Sequence, residues 1–66
     1  MIDKSKYPKG MQLRLTAPIE DRYTPKSAGD ILTVDYVDDV GQIHGSWSSG
    51  GSMAIIIDVD KFEVIT

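Results

Sequence analysis

His44 is the only histidine in the sequence, and it is the side chain best suited to act as a general base near neutral pH. Ser46 follows two residues later, so both side chains leave the same face if this stretch is a strand. Asp35 or Asp39 could orient the imidazole from a neighbouring strand. However, the sequence has no Gly-x-Ser-x-Gly turn to expose a nucleophile. A surface histidine in a cross-strand pair explains the pattern better, so we expect no catalytic residue and no enzymatic activity.

Closely spaced acidic residues raise the question of a metal site. They occur at Glu20-Asp21, Asp38-Asp39 and Asp58-x-Asp60. Calcium needs six or more converging oxygen ligands, and Phe62 occupies the position where the next ligand of a calcium loop would stand. Turn and cap chemistry accounts for these carboxylates. Gly50-Gly51 is not a phosphate loop, because neither Lys-Ser/Thr nor a helix follows it. We therefore expect no metal and no cofactor.

The first strand that could position such residues is predicted at residues 11–16. Apolar and polar side chains alternate there with period two, which places Met11, Leu13 and Leu15 inward. Residues 1–9 are polar and end in a Pro-Gly turn signal, so we expect a loosely held N-terminal segment followed by a single domain over residues 10–66.

Residues 17–28 form a connection that is long for so small a domain. Long loops on β scaffolds often carry recognition. The favoured interpretation is an irregular, strand-like excursion packed by Ile19 and Tyr23.

Residues 30–37 are rich in β-forming side chains, but their alternation is imperfect. Leu32 and Val34 share a face, whereas Val37 is out of phase with them. A β-bulge near Asp35-Tyr36 would return Val37 to the core, because bulges let the strands of small barrels bend.

Two turns enclose the next strand, at residues 42–47. The turns are predicted at residues 38–41 and 48–51, the second with two glycines that accept positive φ. Ile43 and Trp47 share a face of this strand, and Gly45 between them is expected to leave room for a bulky neighbour.

A fourth strand is predicted at residues 52–57, and a single helical turn at 58–60 separates it from a short last strand around Phe62 and Val64. Five short strands with one long first connection predict an all-β fold, a small five-stranded SH3-like barrel. Closure of the barrel would protect most strand edges. An OB-like barrel is the alternative, but it usually needs more residues and a helix between strands.

Several short motifs resemble a small bacterial family of unknown function that is itself similar to SH3-like barrels. They are Tyr7-Pro8-x-Gly10, Tyr23-Thr24-Pro25, Val37-Asp38-Asp39-x-Gly41-x-Ile43-His44, Trp47-x-x-Gly50 and Asp60-x-Phe62. The resemblance implies a setting in phage, plasmids or integrated elements, and it implies no known activity or catalytic residue. The chain departs from the family pattern at Ser27-Ala28, Leu32 and Ser48-Ser49.

We expect a non-enzymatic module that binds an unknown protein or peptide. Proline-rich ligands are not favoured, because Trp47 ends its strand and Asp58-Val59-Asp60 replaces the Pro-Tyr pair of peptide-binding SH3 domains. Tyr23 and Tyr36 could still flank a shallow site. The alternative is an accessory domain associated with nucleic acid, since SH3-like barrels also occur in ribosomal and transcription proteins.

Ile56 is the third candidate for partner binding. Met53 and Ile55 fit the inward phase, which places Ile56 outward beside Ala54 as a flat apolar strip. An exposed strip would favour partner contact or weak self-association there rather than at the acidic turn, so we expect a monomer or a weak homodimer. The alternative is that a bend at Asp58, or the segment around Tyr7, covers the strip.

Composition limits the partners and the compartment. Seven basic and ten acidic residues give a net charge of −3, and the chain has no cysteine. Nucleic acid is therefore an unfavourable partner. No signal peptide and no apolar run long enough to span a membrane are evident, so a cytoplasmic location is expected.

The charge predicts weak binding to nucleic acid. Affinity for duplex DNA at physiological salt should be no tighter than about 10⁻⁴ M, the weak end of non-specific binding. A filter-binding assay at low and physiological salt measures it. Micromolar, salt-sensitive binding would contradict the prediction and would point to Lys4, Lys6 and Lys9.

Overall fold

The computed structural model describes residues 3–66, in which five strands follow one short helix. The elements are the 3₁₀ helix η1 (Lys4–Lys6) and the strands β1 (Gln12–Leu15), β2 (Ile31–Val37), β3 (Gln42–Trp47), β4 (Ile55–Ile56) and β5 (Phe62–Val64). All neighbouring strands pair antiparallel in one sheet, in the order β4-β3-β2-β1-β5. The described chain is therefore all-β with a small β-barrel-like fold, as the sequence predicted.

One face of the sheet carries the hydrophobic core. Its buried members are Leu13, Leu15, Leu32, Val34, Val37, Ile43, Trp47 and Ile55. They come from β1 to β4 at the alternating positions that the sequence indicated, so period two decides which side chains face inward.

The predicted β-bulge is present in β2. The register with β3 shifts between Val34 and Tyr36, so Asp35 is the extra residue. Both Val34 and Val37 are buried, whereas Asp35 and Tyr36 are exposed. The bulge therefore corrects the phase of the strand, as expected.

Gly45 has a different role from the predicted one. A Cβ at this position would lie 2.0 Å from the carbonyl oxygen of Thr33 in the paired strand. The space beside Gly45 is therefore filled by the backbone of β2, and the expectation of a bulky side chain there was wrong. Only glycine permits this approach of the two strands.

The fourth strand is shorter than predicted. The structure has only Ile55–Ile56 in place of residues 52–57, because residues 52–54 form no strand pairing with β3. The indole N–H of Trp47 donates to the carbonyl of Met53 at 2.7 Å, so this carbonyl serves the side chain rather than a strand ladder. The predicted helical turn follows β4, where the Asp60 N–H donates to the Ile56 carbonyl at 2.9 Å.

The long connection between β1 and β2 is ordered by Lys26 rather than by Tyr23. Ile19 and Lys26 form an isolated antiparallel bridge, and Ile19 packs against the core as predicted. Tyr23 is 82% exposed, so the expectation that it packs was wrong. Asp21 Oδ2 accepts the N–H groups of Tyr23 and Thr24, both at 2.8 Å, and this tight turn projects Tyr23 outward.

Lys26 itself is 6% exposed. Its ammonium donates to the carbonyl of Gly50 and lies 5.3 Å from the centre of the Trp47 ring. A hydrogen bond and a cation–π contact thus join the first connection to the turn after β3.

The N-terminal segment also contacts the core. The Tyr7 ring meets Phe62 edge to face, with centroids 5.8 Å apart. Asp3 caps η1 by accepting the N–H of Ser5. The expectation that residues 1–9 are loosely held concerns motion and stays a prediction, and residues 1–2 of that segment lie outside the described part. Within residues 3–66, no helix is long and apolar enough to cross a membrane.

Truncation of the buried indole is expected to be severe. Trp47 is 6% exposed, and Trp47→Ala should lower the free energy of unfolding by about 3–5 kcal/mol, most of the stability of so small a domain. Urea denaturation followed by circular dichroism measures the loss. Tyr23→Ala, which removes an exposed aromatic, should stay within about 0.5 kcal/mol of wild type. A native fluorescence maximum equal to that of free tryptophan in water would contradict the placement of Trp47.

Candidate functional site

The outward side chains of β3 join two of the predicted partner-binding residues on one surface. Gln42 and His44 point away from the core, because Ile43 between them is buried. Tyr36 is the cross-strand partner of His44, and Ile56 is the cross-strand partner of Gln42. We refer to Tyr36, Gln42, His44 and Ile56 as the Tyr36–Ile56 face.

Tyr36 stacks on the imidazole of His44. The ring centroids are 4.6 Å apart and the planes differ by 10°. Tyr36 remains 54% exposed, so one side of its ring rests on His44 while much of the side chain faces solvent. The bulge at Asp35 produces this arrangement, since it turns Tyr36 outward opposite His44 and still returns Val37 to the core.

The carboxylate of Asp38 fixes the orientation of His44, the residue on which Tyr36 stacks. His44 Nε2 lies 2.9 Å from Asp38 Oδ2, and the carboxylate can only accept, so Nε2 carries the hydrogen. Asp38 Oδ1 accepts the backbone N–H groups of Val40 at 3.0 Å and Gln42 at 2.9 Å. One aspartate therefore closes the β2–β3 turn and orients the imidazole.

These hydrogen bonds stabilise the charged form of the carboxyl. The hydrogen bond from His44, followed by that from the Gln42 N–H, holds the pKa of Asp38 below its ordinary value of 3.8.

His44 pairs with Asp38, so the expectation that Asp35 or Asp39 would orient the imidazole was wrong. Asp35 lies 3.6 Å from the ammonium of Lys9, and Asp39 pairs with the ammonium of Lys4. Asp38 holds the imidazole because it is the first residue of the turn, from which a short side chain reaches both the turn amides and the facing strand. Its position before Asp39-Val40-Gly41 was the available signal.

A shallow, open groove of about 510 Å³ borders the stack. It is lined by Lys9, Gly10, Thr33, Val34, Asp35, His44, Gly45 and Ser46. Its lining mixes polar groups with a larger share of apolar surface, and its open shape would bury little of a ligand. Among residues 3–66, no three side chains of the His, Cys, Asp or Glu type converge as metal ligands would.

The structure brings two of the three predicted partner-binding residues together. Tyr36 and Ile56, which is 39% exposed, share the Tyr36–Ile56 face. Tyr23 lies in the β1–β2 connection, where its ring meets the guanidinium of Arg22, and it is not among the residues that the β2–β3–β4 pairing brings together. Partner binding at any of the three residues stays a prediction.

The fold and this face define a small, all-β, barrel-like domain with an aromatic and an aliphatic side chain exposed on strands to either side of β3. A family model described as a domain of unknown function, DUF4314, matches residues 2–65, and the chain belongs to that family. Neither the curated proteins nor the solved structures contain a match to the chain.

The Asp38–His44 pair makes stability depend on pH. A carboxyl whose pKa is lowered by folding stabilises the fold above its unfolded pKa and loses that contribution as pH falls through the folded pKa. Asp38→Asn should therefore be less stable than wild type at neutral pH, and the difference should shrink below about pH 3.8.

Urea denaturation at a series of pH values measures this difference. In a His44→Phe background, which keeps a ring for Tyr36 to stack on, Asp38→Asn should lower the free energy of unfolding by less than it does in the wild type. An equal loss of unfolding free energy on Asp38→Asn at every pH would contradict the conclusion that the ionised Asp38 carboxylate stabilises the fold.

Proposed function

We propose that this chain is a non-enzymatic module that binds a protein or peptide through the Tyr36–Ile56 face. The observation that supports it most is the exposed Tyr36 ring, held in one orientation by stacking on His44, on the same face as the exposed Ile56. Aromatic side chains are enriched at protein interfaces, and one fixed before binding loses less conformational freedom on association.

We also propose that the domain is an SH3-like barrel from a bacterial mobile element and that it is located in the cytoplasm. The order β4-β3-β2-β1-β5, the long connection after β1 and the helical turn before β5 support an SH3-like barrel. A bacterial origin linked to mobile elements rests on the motif resemblance alone, and a cytoplasmic location rests on the sequence alone.

The alternative of a nucleic-acid accessory domain has less support. Lys4 and Lys9, two of the three lysines near the N-terminus, pair with Asp39 and Asp35. Their charges are thus offset within the chain, which leaves little positive potential to attract phosphates.

Placing a charge at Ile56 tests the proposal. Ile56→Lys should fold with a free energy of unfolding within about 1 kcal/mol of wild type, because the side chain is partly exposed on an outer face. The variant should lose proteins that the wild type retains in affinity capture from source cells, measured by quantitative mass spectrometry. Any self-association of the wild type at high concentration, seen by sedimentation velocity, should also decrease.

Val64→Lys provides the matched control, because Val64 is an exposed aliphatic residue on the edge strand β5. It should retain the same captured proteins as wild type. Retention of those proteins by Ile56→Lys would contradict the proposed face. A monomeric wild type together with an unfolded Ile56→Lys variant would mean that Ile56 belongs to the core.

A further inference from the structure

Exposed apolar side chains also occur in the two turns next to the Tyr36–Ile56 face. Among the described residues, four of the six exposed large hydrophobic side chains lie on this face or in these turns: Tyr36, Val40, Ile56 and Val59. Val40 lies in the β2–β3 turn, and the N–H of Val59 donates to the Ile56 carbonyl at 3.1 Å.

A backbone hydrogen bond joins the two turns, since the Ile57 N–H donates to the Gly41 carbonyl at 3.1 Å. The four residues thus belong to adjoining segments. We call Tyr36, Val40, Ile56 and Val59 together the apolar patch.

The negative charge of the chain is concentrated in the same segments. Five aspartates lie there: Asp35, Asp38, Asp39, Asp58 and Asp60. Two lysines, Lys4 and Lys9, pair with two of them. Lys61 follows Asp60 directly, so five aspartates and three lysines leave a surplus of two negative charges in these segments, out of a net charge of −3 for the whole chain.

We propose that the apolar patch binds a basic segment of a partner protein in which Lys or Arg residues alternate with apolar residues. This inference rests on the proposed function and specifies the chemistry of the partner. Apolar side chains of such a segment bury Tyr36 and Ile56, and its cations meet the surrounding aspartates. Opposite charge also raises the rate of association and disfavours acidic partners.

One existing ion pair is suited to exchange with such a partner. The Asp39 side chain is 92% exposed although it contacts Lys4. An exposed pair of this kind contributes little to stability, so an arginine of the partner can replace Lys4 at small cost. Asp58 is exposed beside Val59 and offers a second carboxylate.

Three synthetic peptides of equal length test the proposal. One alternates Arg with Leu, one alternates Glu with Leu, and one alternates Arg with Ser. Amide shifts in ¹H–¹⁵N spectra locate binding, and calorimetry gives the affinity. The Arg/Leu peptide should shift the amides of Tyr36, Val40, Ile56 and Val59, and it should bind at least about tenfold more tightly than either other peptide. Its affinity should fall as salt rises.

Variants that replace a carboxylate by the matching amide test whether binding depends on the charges next to the apolar patch or on charge elsewhere on the surface. Asp39→Asn combined with Asp58→Asn should weaken binding of the Arg/Leu peptide at least about threefold, since two negative charges next to the patch are removed. Glu20→Gln removes one negative charge in the β1–β2 connection and should leave the affinity unchanged.

The outcomes distinguish this inference from the proposed function. Equal binding of the Arg/Leu and Glu/Leu peptides at the apolar patch would contradict the inference that the partner is basic. It would leave intact the proposal that this face binds a protein or peptide. Amide shifts confined to residues around Tyr23, or no binding of the Arg/Leu peptide, would overturn the inference. The proposed function would then still be judged by the proteins captured with wild type and Ile56→Lys.

Discussion

The pairing of β2 with β3 determines both faces of this domain. At its centre the carbonyl of Thr33 occupies the space where a side chain at position 45 would project, so the two backbones approach closely. The register shifts immediately afterwards, between Val34 and Tyr36. That shift returns Val37 to the core and directs Tyr36 onto His44. A single irregularity in the hydrogen-bond ladder thus links the packing of the interior to the shape of the exposed surface.

Polar contacts of a few side chains order the connections around this sheet. Asp38 closes the β2–β3 turn and holds His44, so the orientation of the exposed Tyr36 depends on a turn residue. Lys26 joins the β1–β2 connection to Gly50 and Trp47. Because a small domain has few buried apolar side chains, such contacts limit the conformations of segments that the core does not cover.

The sequence was most informative where local rules decide the structure. Period-two alternation located β1, β2 and β3, and the phase error at Val37 indicated the bulge. Contacts between segments distant along the chain were not predictable in this way. The Trp47 indole captures the Met53 carbonyl and shortens β4, and a lysine that composition alone would place in solvent is buried by Gly50 and Trp47. At the candidate site, the outward phase of Ile56 was predictable, whereas the choice of Asp38 over Asp35 and Asp39 depends on turn geometry.

The placement of β1 between β2 and β5 has a consequence for how the chain folds during synthesis. Leu13 pairs with Val64, so the ladder on one side of β1 cannot form until almost the whole described chain has left the ribosome. Pairings between such distant residues slow folding, because a large loop must close before any contact compensates for its lost entropy. Until then the edge of β1 is open to strands of other nascent chains. Premature termination before residue 62 would leave that edge exposed permanently and favour aggregation over a smaller but folded domain.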